Sequence, residues 1–226
     1  MHHSPLEVLY EDNHLIAVNK PPLIPTMGVA ADQASMVTWV KDYLGKRYRK
    51  PGNVYLGVVS RLDAWSRGVL LFARTSKAAA RLTRQFGEGE VDKIYWAITE
   101  SVPEGEQGSM NDWLVKDDRN RRMMTTGPHT ADARQAELHW RLLGHHAGQG
   151  LVEVRLVTGR KHQIRVQFSR RGWPLAGDRK YGGQLAFEGI GLLAKSLSLE
   201  HPVRREPLVL EIEPPADWKI HRFRDI

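Results

Sequence analysis

Leu151-Val152-Glu153-Val154-Arg155-Leu156-Val157-Thr158-Gly159-Arg160-Lys161-His162-Gln163-Ile164-Arg165 is the stretch on which the reading of this 226-residue chain turns. Val152, Val154 and Leu156 alternate with Glu153 and Arg155, the period of a half-buried strand. The strand stops at Gly159. A helix over residues 161–171 then places Ile164 and Phe168 on one face, with Gly172 as its stop. The junction carries Arg160, Lys161, His162, Gln163 and Arg165, all donors. A helix N-terminus with unpaired backbone N–H groups among cations is a natural phosphate site. Arg165, one turn into the helix, can turn inward to hold a buried carboxylate through its planar fork. A solvated basic helix is the plainer alternative, and the glycine-bounded entry argues against it.

Outward from this junction the chain reads as short strands with few helices. Residues 6–10 and 15–19 flank the polar Glu11-Asp12-Asn13-His14, a hairpin pattern, and Lys20-Pro21-Pro22 then forces a loop. Residues 36–44 suit a short helix. Val69-Leu70-Leu71-Phe72-Ala73 is a compact apolar run that fits a buried strand. Ser76 is placed to cap a helix reaching Phe86, with Ala79, Leu82 and Phe86 on one face. Residues 94–98 and 208–212 read as further strands, the latter closed by Pro214-Pro215. The pattern predicts an α+β fold on a mixed, largely antiparallel sheet. With no repeat, low-complexity tract or linker, residues 1–226 read as a single domain.

Bulk composition narrows the function classes. The apolar fraction of 41% suits a globular protein, and the formal charge of +7 suits a polyanionic partner such as a nucleic acid, with a solvated basic surface as the plainer alternative. The absence of cysteine removes disulfides, thiolate metal sites and cysteine nucleophiles. No apolar run approaches the roughly 18 residues that cross a bilayer, and Met1-His2-His3-Ser4-Pro5 lacks the apolar core of a signal peptide. The expectation is a cytoplasmic monomer with no membrane attachment and no obligatory protein partner.

Two more segments carry candidate chemistry. In Gly57-Val58-Val59-Ser60-Arg61-Leu62-Asp63 an apolar approach ends in Arg-Leu-Asp, and a second apolar run begins at Val69. A carboxylate in such a turn needs a cationic or hydrogen-bonding partner. Taken alone, a turn-forming aspartate is the simpler reading of Asp63. In Lys93-Ile94-Tyr95-Trp96-Ala97, strand alternation puts Lys93, Tyr95 and Ala97 on one face. If Trp96 lies in the core, Tyr95 stands beside a lysine where it can stack on a base; an ordinary half-buried tyrosine is the alternative. Gly87-Glu88-Gly89-Glu90 lacks the context of a dinucleotide loop, and Asp117-Asp118 reads as a charged surface loop. The histidines match no metal-ligand spacing, so no metal is expected.

In order and spacing these segments resemble the RNA pseudouridine synthases of the RluA family. Asn19-Lys20-Pro21, Arg61-Leu62-Asp63, Gly68-Val69-Leu70-Leu71, Lys93-Ile94-Tyr95, Thr158 through Arg165, Gly172-Trp173-Pro174, Gly177-Asp178 and His201-Pro202 carry the likeness over nearly the whole chain. The resemblance implies a two-lobed α+β catalytic domain on a bent sheet, with the active site in a central cleft. It also implies that the separate N-terminal RNA-binding domain of many relatives is missing here. Residue by residue, it makes Asp63 the catalytic aspartate, Tyr95 the tyrosine beside the target base and Arg165 the arginine paired with the aspartate. Arg61 becomes the residue that fills the gap left by the extruded nucleotide.

The implied reaction turns uridine of ribosomal or transfer RNA into pseudouridine, with no cofactor. Asp63 either attacks C1′ or removes a ribose proton, and both routes use an ionised carboxylate, which a nearby Arg165 would favour. The uridine must leave its stack, at a cost of order a few kcal/mol. Lys20, Lys93, Arg160, Lys161 and His162 are the expected RNA contacts that offset it. Three departures from the family pattern stand out: Ser60 in place of histidine, Ser66-Arg67-Gly68 in place of Thr-Ser-Gly, and Gln167 in place of histidine. Ser60 and Arg67 motivate an alternative of another class, an RNA-binding, ribosome-assembly protein that has lost catalysis. A glycoside hydrolase using Asp63 and Asp178 is a more remote third.

Overall fold

The computed structural model describes residues 6–30, 33–49 and 51–223. The opening residues 1–5, read above for a signal peptide, lie outside them. The described residues form eleven strands and three α-helices in chain order: β1 (Val8–Glu11), β2 (Leu15–Lys20), α1 (Met36–Arg47), β3 (Gly57–Val58), β4 (Arg67–Ala73), α2 (Ser76–Glu88), β5 (Asp92–Thr99), β6 (Gln107–Asp117), β7 (Arg122–Thr126), β8 (Arg134–His146), β9 (Gln149–Leu156), α3 (Gln163–Arg170), β10 (Leu192–Glu200) and β11 (Pro207–Glu211). A 3-10 turn at Arg179–Tyr181 follows α3. The α+β class is as expected. No helix among the described residues is long and apolar enough to cross a membrane.

The chain divides into two compact units. Unit 1 takes residues up to 92 and 196–212, and its strands run in the order β1-β2-β4-β10, with β3 on β4 and β11 on β10. The β1–β2 hairpin is antiparallel, as its sequence predicts. Its turn is fixed by Asp12, whose Oδ1 accepts the N–H groups of His14 and Leu15 at 2.8 Å each. Strand β4 is buried along its whole length, which explains its unbroken apolar run. Helix α1 packs Met36, Val40 and Leu44 on Ile16, Val18, Leu70 and Phe72. It starts at a capping box made by Ser35 and Thr38. Helix α2 is capped by Thr75, one residue earlier than the sequence suggests, and ends at Gly89 in the left-handed conformation. Its buried stripe is Ala78, Leu82 and Gln85, with Ala79 and Phe86 at the margin.

Unit 2 holds residues 93–195 and those after 212. Its strands run β5-β9-β8-β6-β7, and the β5–β9, β8–β9, β6–β8 and β6–β7 ladders are all antiparallel. The inner face presents Ala97, Met110, Leu138, Trp140, Val152 and Val154, against which α3 packs Ile164 and Phe168. Asp117 and Asp118 lead into the β6–β7 turn.

Candidate active site

In unit 1 the segment around Asp63 is fixed by two side chains from elsewhere in the unit. Thr26 grips Leu62 from both sides, its Oγ1 accepting the Leu62 N–H at 3.1 Å and donating to the Leu62 carbonyl at 2.9 Å. After Asp63 the chain makes a β-turn. The Asp63 carbonyl accepts the Ser66 N–H at 3.2 Å and the Ser66 hydroxyl at 3.0 Å. Lys20, the last residue of β2, lies across from Gly68 in the β2–β4 ladder and reaches under this turn. Its Nζ donates to the carbonyls of Pro21 at 2.8 Å, Ala64 at 3.1 Å and Ser66 at 2.7 Å.

Lys20 therefore corrects one expectation. It is 0% exposed. The three carbonyls take up all three ammonium protons, so none is left for an RNA phosphate. Its place is to hold the turn that carries Asp63. Burial pushes its ammonium down from 10.5 to about 7; the Asp63 carboxylate opposes the fall and the Arg67 guanidinium adds to it. Arg67, which stands where the family has serine, is buried at the start of β4, so this departure is absorbed inside the unit. Arg61 is exposed, and Ser60 and Asp63 are half-buried.

In unit 2 the faces of β5 are the reverse of the sequence expectation. Tyr95 lies across from Val154 and packs against the core cluster, on the side that α3 covers. Trp96 lies across from Glu153 on the opposite face, where the Lys195 ammonium stands 5.4 Å from its ring centroid. Apolar size alone suggested the tryptophan for the core, and the cation from β10 makes the other face tolerable for it. Lys93 stays on the Tyr95 face and is half-buried.

Arg165 is buried within α3, and Asp178 and Tyr181 are among the groups that hold its guanidinium. Nε and Nη2 each meet a carboxylate oxygen of Asp178 at 2.7 Å, a bidentate pair in which both residues are buried. The Tyr181 ring lies against it, 5.0 Å from centroid to Cζ. Tyr181 is itself tied down. Its hydroxyl accepts the Met123 N–H at 2.9 Å and lies 2.7 Å from His162 Nδ1. Ser169 donates to the Tyr181 carbonyl at 2.6 Å. Gly177 makes room for this arrangement: at φ +74, a Cβ there would lie 2.7 Å from Phe187 Cβ. Tyr181 was not singled out from the sequence. The available signal was Gly177-Asp178-Arg179-Lys180-Tyr181-Gly182, which brings an acid and an aromatic onto one short turn between glycines.

The α3 entry is braced by a side chain. Gln163 Oε1 accepts the Thr158 hydroxyl at 2.8 Å and the Arg160 N–H at 2.9 Å, while its Nε2 donates to the Glu137 carbonyl at 3.0 Å. Arg160 is exposed with its Nε on the Gln135 carbonyl, Lys161 is exposed, and His162 takes the left-handed conformation at φ 54. The helix begins two residues later than predicted because His162 serves as its N-cap. Gln167, the third departure, is fully buried and donates to Asp112 at 2.7 Å and to the Ala136 carbonyl at 3.1 Å. It braces α3 on the sheet of unit 2. Asp178 commits both oxygens to Arg165, which argues against its use as the acid of a glycoside hydrolase.

A family profile described as RNA pseudouridylate synthase matches residues 14–170. The chain belongs to this family. The synthase is 33% identical, over 95% of its length and 67% of the relative's, to an uncharacterised RNA pseudouridine synthase of Synechocystis. It is 32% identical to the ribosomal large subunit pseudouridine synthase D of Zymomonas mobilis, over 96% of its length and 71% of the relative's. Among solved structures, human RNA pseudouridylate synthase domain containing 4 superposes with a TM-score of 0.79 at 25% identity, covering 96% of the synthase and 92% of that chain. The branch is the RluA family, as the motifs suggested. Its reaction, isomerisation of uridine in RNA to pseudouridine, is the reaction of this synthase.

Proposed function

We propose that the synthase modifies a uridine of ribosomal or transfer RNA that it holds out of its stack, and that Asp63 is the reacting group. The observation that carries this reading is the clamp on the Asp63 turn. A buried lysine spending three donors on backbone carbonyls, plus a threonine gripping Leu62, is costly machinery for an ordinary surface aspartate. In the reaction the N1–C1′ bond breaks, uracil turns, C1′ joins C5, and the proton displaced from C5 is lost to solvent while N1 gains one. Asp63 either attacks C1′ or takes a ribose proton. Tyr95 offers a ring to the base, and Arg165 supplies the cation of the site. Arg61, Lys93, Arg160, Lys161 and His162 are the proposed RNA contacts. A relative named for the large ribosomal subunit favours ribosomal RNA. The match over residues 14–170 runs through both units, which supports one catalytic domain made of the two.

Release of tritium from RNA labelled at uracil C5 tests the reading. The wild type should release it and Asp63→Asn should not. Equal release by the two proteins would remove Asp63 from the chemistry. No release by wild type from total cellular RNA would favour an RNA-binding protein without catalysis.

A further inference from the structure

The turn that carries Asp63 and the loop tied to it by Thr26 both expose large apolar side chains. Trp65 is 53% exposed, Leu23 50% and Met27 46%. Isolated exposed apolar residues are common on proteins. These three differ in being confined to two segments that are hydrogen-bonded together through Thr26 and Leu62, one of which carries Asp63. Leu23 also adopts φ 68, a left-handed conformation that costs a branched side chain energy and exposes it at the same time.

Trp65 is the best defined of the three. It is the third residue of the β-turn closed by the Ser66 N–H on the Asp63 carbonyl. The carbonyls on either side of it, those of Ala64 and Ser66, are both held by Lys20. The backbone is thus fixed while the indole faces solvent, so ordering it on a ligand costs only two side-chain torsions. The exposed cation of the same segment is Arg61. A rigid indole with apolar neighbours and one guanidinium suits the face of an unpaired base better than a string of phosphates.

We propose that Trp65, with Leu23 and Met27 of the loop tied to its segment, is a stacking surface for an unpaired nucleobase next to the target uridine, and that it helps select which RNA is accepted. This rests on Asp63 being the reacting group. The substrate class is accordingly RNA in which the uridine lies in a single-stranded loop or bulge.

Initial rates on total cellular RNA tritiated at uracil C5, with wild type, Trp65→Phe and Trp65→Ala, test it. Loss of one stacked base should raise KM for Trp65→Ala roughly tenfold with kcat within about twofold, and Trp65→Phe should recover most of the loss. Thermal midpoints should match, because the side chain is exposed. An active wild type with unchanged KM in Trp65→Ala, or with phenylalanine no better than alanine, overturns the stacking role and leaves the function of Asp63 standing. If wild type is inactive, the Asp63 reading fails instead. Filter retention of the same RNA by Asp63→Asn with and without Trp65→Ala then decides the surface: weaker retention without the indole supports stacking, and equal retention overturns it. A change in sedimentation on Trp65→Ala, with RNA binding unaltered, would reassign the surface to self-association and overturn the proposal.

Discussion

Lys20 is the residue whose chemistry the fold alters most. In the unfolded chain its ammonium titrates near 10.5, and in the folded protein near 7. Between those values the unfolded chain binds one more proton than the folded one, so the contribution of Lys20 to stability rises with pH across this window and is lost as pH falls toward 7. Each pH unit between the two values is worth about 1.4 kcal/mol. Lys20→Met has no such proton. The stability of wild type relative to Lys20→Met, from urea unfolding at pH 7 and pH 9.5, should therefore shift toward wild type by a few kcal/mol on the alkaline side. A difference that stays flat across this range would mean that the ammonium is not enclosed as the geometry shows.

At the scale of elements, α3 and the 3-10 turn after it work as one device for holding Arg165. Two removals separate the parts. Asp178→Asn leaves a buried guanidinium short of its counter-charge and should cost about 3 kcal/mol in unfolding experiments, with pseudouridine formation falling at least roughly tenfold. Tyr181→Phe keeps the ring on Arg165 and strips the hydroxyl from the Met123 N–H and from His162, so it should cost about 1–3 kcal/mol while kcat stays near wild type. If Tyr181→Phe stopped turnover without loss of stability, the hydroxyl would have a role beyond support. Much of this device was legible in sequence: the strand, the glycine and the donor run at residues 157–165 gave the helix entry and Arg165. The anchor was not, because a contact from a helix to a turn 13 residues further on, past the irregular chain that follows α3, leaves no period to read. Likewise β6 escapes a pattern reading since Asp112, paired with Arg171 and Gln167, lies between Met110 and Leu114 on the inner face and breaks the alternation. Strand β8 has no such excuse: Ala136, Leu138, Trp140 and Leu142 alternate with Glu137, His139 and Arg141 in plain view. Which face of β5 is inner depends on a lysine a hundred residues away, and no local pattern carries that.

For the whole molecule, the excess of +7 and the proposed contacts make different demands on solution conditions. Contacts to phosphate release counterions, so they weaken as salt rises, whereas stacking of a base on an indole does not involve counterions. If Lys93, Arg160 and Lys161 each neutralise one phosphate of single-stranded RNA, log affinity should fall with log salt at a slope of about −2, three contacts at roughly 0.7 each. Measured with Asp63→Asn, so that no product forms, the double substitution Arg160→Ala, Lys161→Ala should flatten that slope by about 1.4. Trp65→Ala should lower affinity by the same factor at every salt concentration and leave the slope unaltered. The two surfaces are thus separable in one titration series. A slope unmoved by loss of Arg160 and Lys161 would take the phosphates away from the α3 entry. A slope changed by loss of Trp65 would mean that this loop meets the backbone of the RNA rather than a base.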